Sequence, residues 1–320
     1  MYNEYYGFKE KPFSLTTNSN FFYLSEQHKS ALTYLKYGLM DRAGIILMTG
    51  DVGTGKTTIV EHVTSRLAAL KSLVVIMVNN TSVIDVDILG LVNGELGITT
   101  ESGSGSRIPA LRALEQHLQS LQAKDKRVLL VIDEAQSLRD SQLEELRMLS
   151  NLQDEGGFLL QVMLSAQPEL LNRLAGGAYS QITQRISVAT ELEHLDLLET
   201  VKYIKHRLAF VGWKRKEPLF TKEAYEILYK ASKGIPRLIN NLCNTALLYG
   251  LADESKTIDA GILMEVIKDR KKTGLPFAPD KPARSGYTSD SIHSDRIDTL
   301  ERTVLRLGAA LKKHMNSPTP

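Results

Sequence analysis

The apolar positions of this chain fall into two regimes. Up to about residue 195, short unbroken apolar runs alternate with stretches in which apolar residues recur every three or four positions; beyond Asp196 only the second pattern continues. Ile45-Ile46-Leu47-Met48, Leu73 to Val78, Val128 to Ile132 and Leu159 to Leu164 are runs of the first kind. Such runs suit strands covered on both faces of a parallel sheet. A further short strand is expected over Ile186 to Ala189. Helices are expected over Ser25 to Leu39 with Ser25 as N-cap, after residue 55 with Ile59, Val60, Val63 and Leu67 on one face, and over Asp85 to Gly97, Ile108 to Ala123, Gln142 to Asp154 and Glu169 to Ala175. Strands alternating with helices predict an α/β core with a parallel sheet sandwiched by helices. Beyond Asp196, helices over Leu197 to Val211, Lys222 to Ser232, Pro236 to Ala252 and Ala260 to Arg270, with Thr221 and Thr257 as N-caps, predict a separate all-α unit.

The two ends carry different patterns. Before the first strand, Tyr5, Tyr6, Phe8, Phe13, Phe21, Phe22 and Tyr23 are expected to form a lid against the core. At the other end, residues 273–294 hold Pro276, Pro279, Pro282 and several serines and read as a flexible linker. Ile297, Leu300, Val304, Leu307 and Leu311 then recur at heptad spacing over 295–316, a short coiled-coil-like helix expected to dock on a partner or another copy.

Chemistry enters between the first strand and its helix. Gly50-Asp51-Val52-Gly53-Thr54-Gly55-Lys56-Thr57-Thr58 fits G-x-x-x-x-G-K-[ST], in the strand–loop–helix setting that this phosphate-binding pattern requires. The glycines let backbone N–H groups curl around phosphate oxygens, and the helix N-terminus adds partial positive charge. Lys56 is expected to reach the β- and γ-phosphates of ATP, and the Thr57 hydroxyl to ligate Mg²⁺. Some eighty residues on, an apolar strand ends in Asp133-Glu134, where Asp133 would hold the Mg²⁺ shell and Glu134 orient and deprotonate the attacking water. Because a carboxylate directly follows Asp133, hydrolysis rather than mere binding is favoured. The strand 159–164 ends in Ser165-Ala166-Gln167, and either Ser165 or Gln167 is placed to contact the γ-phosphate or the water. Arg185, just ahead of the last strand, suits a charge donated to a neighbouring subunit's nucleotide. Arg237 sits at a helix start, where the dipole is unfavourable unless something anionic is near.

Composition narrows the setting. The 320 residues carry a net charge of +2, which neither requires nor excludes a nucleic-acid partner, so any basic surface must be local. The single cysteine, Cys243, lies in a helical stretch, which leaves no disulfide framework within one chain and fits a buried structural thiol in a reducing compartment. No basic segment followed by an apolar one opens the chain, and no apolar run is long enough to span a bilayer. The expected location is the cytoplasm, without direct membrane insertion.

Together these residues resemble the AAA+ ATPases, and more closely the general secretion pathway protein A (ExeA-type) family, in particular its stand-alone members beside exosortase and exopolysaccharide loci. The resemblance spans roughly residues 5–270. It is carried by Tyr6-Gly7-Phe8 with Lys11-Pro12-Phe13, Phe22-Tyr23-Leu24-Ser25 with His28, the phosphate loop, Ile132-Asp133-Glu134-Ala135-Gln136, Leu149-Ser150-Asn151-Leu152, Gln167-Pro168-Glu169-Leu170, Gln184-Arg185-Ile186 and Gly234-Ile235-Pro236-Arg237. Two departures are Thr17-Asn18-Ser19 in place of a Pro-Asp-Pro turn and Ser165-Ala166 where a glycine usually precedes the glutamine.

The resemblance implies an AAA+ nucleotide-binding domain over 1–195, a lid subdomain over 196–272, an arginine finger at Arg185 acting in trans, a lid sensor at Arg237, and at Asn79 a residue that restrains the catalytic glutamate. It implies an oligomer that couples ATP to assembly or regulation of an envelope secretion or polysaccharide export machine, with a protein partner of that machine. A second resemblance, to transposition ATPases of the TnsC and TniB kind, implies ATP-dependent binding to DNA. That reading needs a basic stripe, for which Lys202, Lys205, His206, Arg207, Lys214, Arg215 and Lys216 are a source unless they are a solvated helix face. A third is a nucleotide-gated scaffold that barely turns ATP over.

Overall fold

Five parallel strands, β1 (Ile45–Gly50), β2 (Leu73–Val78), β3 (Arg127–Ile132), β6 (Leu160–Ala166) and β7 (Ile186–Leu192), pair in the order β2-β3-β6-β1-β7. Every residue of β1 and β6 is buried, as their unbroken apolar sequences require, whereas the edge strands β2 and β7 are partly open. The structure is a computed structural model and describes residues 2–15, 21–41, 43–68, 72–78, 87–99, 107–154, 157–176, 179–215 and 217–272. The expected linker and heptad helix, and the turn at Thr17-Asn18-Ser19, lie outside these.

Side-chain alternation sends each strand's residues to two separate cores. Ile45, Leu47, Leu130, Ile132, Val162 and Leu164 face one side, packed with α4 (Ile88–Glu95), α5 (Arg107–Gln122), α6 (Asp140–Leu149), α7 (Pro168–Leu174) and the short α8 (Ser180–Thr183). Ile46, Met48, Leu129, Val131 and Met163 face the other, under α2 (Glu26–Met40) and α3 (Lys56–Ala68). Ser25 caps α2 as expected, its Oγ accepting from the His28 N–H. The expected α/β sandwich is therefore present.

Three expectations are corrected. The helix expected to run to Asp154 ends at Leu149, because Asn151 and Leu152 donate back to Met148 and Leu149 in tight turns that tuck Leu152 into the core. Gln153–Asp154 (β4) then pairs antiparallel with Gly157–Phe158 (β5). Thr257 does not cap the last helix: Ile258 is drawn into a bridge with Phe220, and Asp259 Oδ1 accepts from the Ile262 N–H instead.

The third correction concerns the aromatic N-terminal segment. After α1 (Tyr2–Tyr6), most of it packs into the helical unit of α9 (Leu197–Phe210), α10 (Lys222–Ser232), α11 (Pro236–Ala252) and α12 (Ala260–Lys272), while Phe22 packs against the sheet core under α2 and α3. Tyr2, Tyr6, Phe8, Phe13 and Phe21 share one core with Tyr203, Leu208, Phe220 and Leu247. The sheet faces are already covered by helices, so the apolar rings complete the smaller core that lacks a cover. Cys243 lies fully buried there, and burial pushes its thiol well above the ordinary range, as suits a structural role.

Candidate nucleotide site

The phosphate loop leaves the C-terminal end of the central strand β1 and enters α3. Gly53 and Gly55 take left-handed φ values of 84° and 106°, which the glycine pattern permits. Lys56 is 4% exposed and its Nζ donates to the carbonyls of Gly50 (2.8 Å) and Asp51 (3.0 Å). Burial lowers its pKa, while Glu134, Asp133 and Asp51 oppose that shift. Thr57 Oγ1 donates to Asp133 Oδ2 at 2.7 Å. A hydroxyl and a carboxylate are thus joined across 76 positions of sequence at the mouth of the loop.

Glu134 follows in a left-handed conformation, φ 56°. Its Oε2 accepts from Gln136 Nε2 at 2.5 Å and from Gln167 Nε2 at 3.3 Å. Of the two candidates on the β6 tip, Gln167 is therefore the one in touch with Glu134. Ser165 is fully buried, and its Oγ has no hydrogen-bond partner among the described residues. Asn79 lies outside the described residues.

A cavity of about 350 Å³ opens over the loop, a size proper to a small-molecule site. Its floor is Val52 to Thr58 with Glu134; one wall is Phe22, Tyr23 and His28; its roof is Tyr203, Arg207, Arg237 and Asn240 of the helical unit. The roof touches the loop directly. The Arg237 N–H donates to the Gly53 carbonyl at 3.3 Å, and a Cβ on Gly53 would come within 2.7 Å of Arg237 Cβ. A second tie, which the sequence did not signal, joins His194 Nε2 to Asp51 Oδ2 at 2.6 Å. His28 underlies the loop: its ring is buried, and burial lowers its pKa to about 4, partly opposed by a hydrogen bond to the Thr54 backbone.

Arg185 is not at this cavity. It lies at the other end of the sheet, where its carbonyl accepts from Ile45 N–H and its Nη1 donates to the Ser150 carbonyl. The basic cluster behind the DNA reading is reduced. Arg207 is 7% exposed, its guanidinium donating to the carbonyls of Pro12 (2.6 Å) and Ser14 (3.1 Å) and lying over the Phe21 ring. It serves the aromatic core rather than a solvated stripe, while Lys202 is paired with Glu199.

The residues fit a magnesium nucleotide. Among the described residues no group of three or more His, Cys, Asp or Glu forms a metal site, so a cation here would rest on Thr57 and Asp133 and take its other ligands from phosphate and water, the usual habit of Mg²⁺. Among the described residues no helix is long and apolar enough to cross a membrane.

Comparisons with known proteins agree with this geometry. A family described as "AAA domain" matches residues 39–174. General secretion pathway protein A of Aeromonas hydrophila is 36% identical over 261 residues, which cover 82% of this chain and 47% of that protein. The chain thus spans about half the length of the curated relative it matches. Among solved structures, the ORC2 protein of Aeropyrum pernix, in ADPNP–ADP complexes, superposes with a TM-score of 0.57 at 17% identity, covering 82% of this chain and 72% of that one. Cdc6p of Pyrobaculum aerophilum does so with 0.56 at 17%, covering 82% and 75%. At these identities the structures speak for the fold alone.

Proposed function

Because this chain belongs to the AAA ATPases of the general secretion pathway protein A type, we propose that it hydrolyses ATP and uses the cycle, as an oligomer, to assemble or regulate an envelope secretion or polysaccharide export machine. The observation that carries the reading is the convergence of Lys56, the Thr57–Asp133 pair and Glu134 on one cavity roofed by the helical unit.

In this reading the loop N–H groups and Lys56 hold the phosphates, and the aromatic wall with His28 encloses the base. Thr57 and Asp133 would hold Mg²⁺, which would supply neutralisation of the phosphate charge when bound. Glu134 accepts a proton from the attacking water, and Gln167 contacts the γ-phosphate end of the site. Arg237 stabilises charge from the roof, and a neighbour's Arg185 does so from across a subunit boundary. Since Arg237 and His194 both touch the loop, a change in what the loop holds is transmitted to the helical unit directly through Arg237 and by way of the segment that leads from β7 into α9 through His194. In this reading the partner is a protein of the export machine, after the likeness to general secretion pathway protein A, and the expected setting is the cytoplasm.

The test is steady-state ATP hydrolysis by the wild-type chain and by Glu134→Gln, with nucleotide binding followed by a fluorescent analogue. The expected result is a loss of kcat of about 100-fold or more with binding retained. Hydrolysis that is equal in the two proteins would overturn the role of Glu134, and no hydrolysis by the wild type would overturn the ATPase reading.

A further inference from the structure

Glu134 is held by more than its own backbone. The turn Ala135–Ser137 pins it from below: its N–H donates to Asp133 Oδ1 at 3.0 Å, and its carbonyl accepts from Ser137 N–H at 3.1 Å and Ser137 Oγ at 2.8 Å. A left-handed glutamate costs about 1 kcal/mol or more and persists only where neighbours fix it. The side chain is then engaged by Gln136, whose amide works in both directions. Its Nε2 donates to Glu134 Oε2 at 2.5 Å, and its Oε1 accepts from the Gln167 N–H at 3.0 Å. Gln136 is itself anchored: Arg173 Nη1 donates to the carbonyls of Gln136 (2.9 Å) and Leu138 (2.8 Å), and Arg173 Nη2 pairs with Asp140.

One carboxamide therefore spans the gap between the end of β3 and the tip of β6, the two strand ends that flank the reacting phosphate in the reading above. Both donors, Gln136 and Gln167, act on a single carboxylate oxygen. A carboxylate gripped at one oxygen cannot spin about its terminal bond, so the direction of its other oxygen is fixed as well. A general base must point at its proton, and misplacement by an ångström costs about 100-fold in rate.

We propose that Gln136 is a positioning residue for hydrolysis: its side-chain amide sets the orientation of the Glu134 carboxylate and locks it in register with the β6 tip. The proposal rests on the ATPase reading and adds to it a residue that touches neither phosphate nor metal. Because the amide makes two bonds of opposite sense, two substitutions separate a positioning role from a bracing one. Gln136→Glu keeps an acceptor for the Gln167 N–H but removes the donor to Glu134 and sets a like charge beside it. Gln136→Met keeps the length and removes both bonds.

The experiment measures kcat, KM and nucleotide affinity for the wild type, Gln136→Glu and Gln136→Met, with thermal unfolding to establish that each is folded. The expected result is a fall in kcat of about 10- to 100-fold in both variants, at least as deep in Gln136→Glu, with KM and affinity unchanged. Near-wild-type kcat in Gln136→Glu alongside a loss in Gln136→Met would overturn the proposal, since the bond to Gln167 would then be the one that matters. Wild-type rates in both variants would overturn it too. A wild type that does not hydrolyse ATP at all would overturn the ATPase reading and this role with it, and is told apart by the first measurement alone.

Discussion

His28 occupies the space between the start of α2 and the phosphate loop, and its protonation is settled by its neighbours. Ser25 Oγ accepts from the His28 N–H and lies 2.6 Å from the ring Nδ1, and the ring is also bonded to the Thr54 backbone. The ring is neutral when folded, and burial keeps it so down to about pH 4. An unfolded chain takes up that proton near pH 6.5. Stability is thus lost as pH falls from 6.5 towards 4, by about 2 kcal/mol between pH 7.5 and pH 5 from this residue. Urea unfolding at those two pH values checks it: His28→Gln loses less than the wild type, and an equal loss would remove His28 from the account. Some decline remains in the variant, because burial also lowers His62 and His206. In the sequence His28 stood out only among the residues that carry the family resemblance; its hold on the loop was not legible, since Thr54 meets it only in space.

Between elements, three contacts tie together the helical unit, the segment after β7 and the phosphate loop. Gly234, with φ 76°, brings α11 back against the segment that follows β7, so close that a Cβ would stand 1.8 Å from the Leu195 carbonyl oxygen. No rotamer relieves a backbone clash, so Gly234→Ala should cost on the order of 3 kcal/mol or more, read as a lowered midpoint of thermal unfolding. The Arg237–Gly53 bond and the Asp51–His194 pair complete the junction. A double-mutant cycle of Asp51→Asn and His194→Ala, read by nucleotide affinity, should show non-additivity of about 1 kcal/mol; additive effects would mean the pair is incidental. The strands of this junction were legible because burial on both faces demands unbroken apolar runs. The pair was not, for His194 lies 143 positions from Asp51 in a polar stretch with no periodicity. Helix ends were read less well: Gln142 to Asp154 keeps helical spacing past the point where tight turns close α6 at Leu149.

At the scale of the whole molecule, the loop and Arg185 occupy opposite ends of the sheet. Arg185 adjoins Ile45 at the start of β1 and the loop follows Gly50 at its end, roughly 16 Å along the strand. An arginine so placed does not serve its own cavity. Arg185→Ala and Lys56→Ala, each inactive alone, should therefore regain hydrolysis when mixed, because the mixed oligomer pairs an intact loop with an intact arginine; mixtures as inactive as the separate variants would refute action in trans. The motif residues marked the floor of the cavity and Arg237 part of its roof, but Ser14, Leu15, Phe21, Phe22, Tyr23 and Tyr203, which also line it, lie in stretches whose pattern announces only packing. The same arrangement has a consequence for the order of synthesis. Tyr2, Tyr6 and Phe8 are synthesised well before the rings and aliphatic groups that cover them, which run from Leu195 to Val266. At ordinary translation rates about 200 residues separate the two, or roughly 10–40 s during which the aromatic segment has no native partner. The nascent chain is a natural client for a chaperone that waits at the exit tunnel.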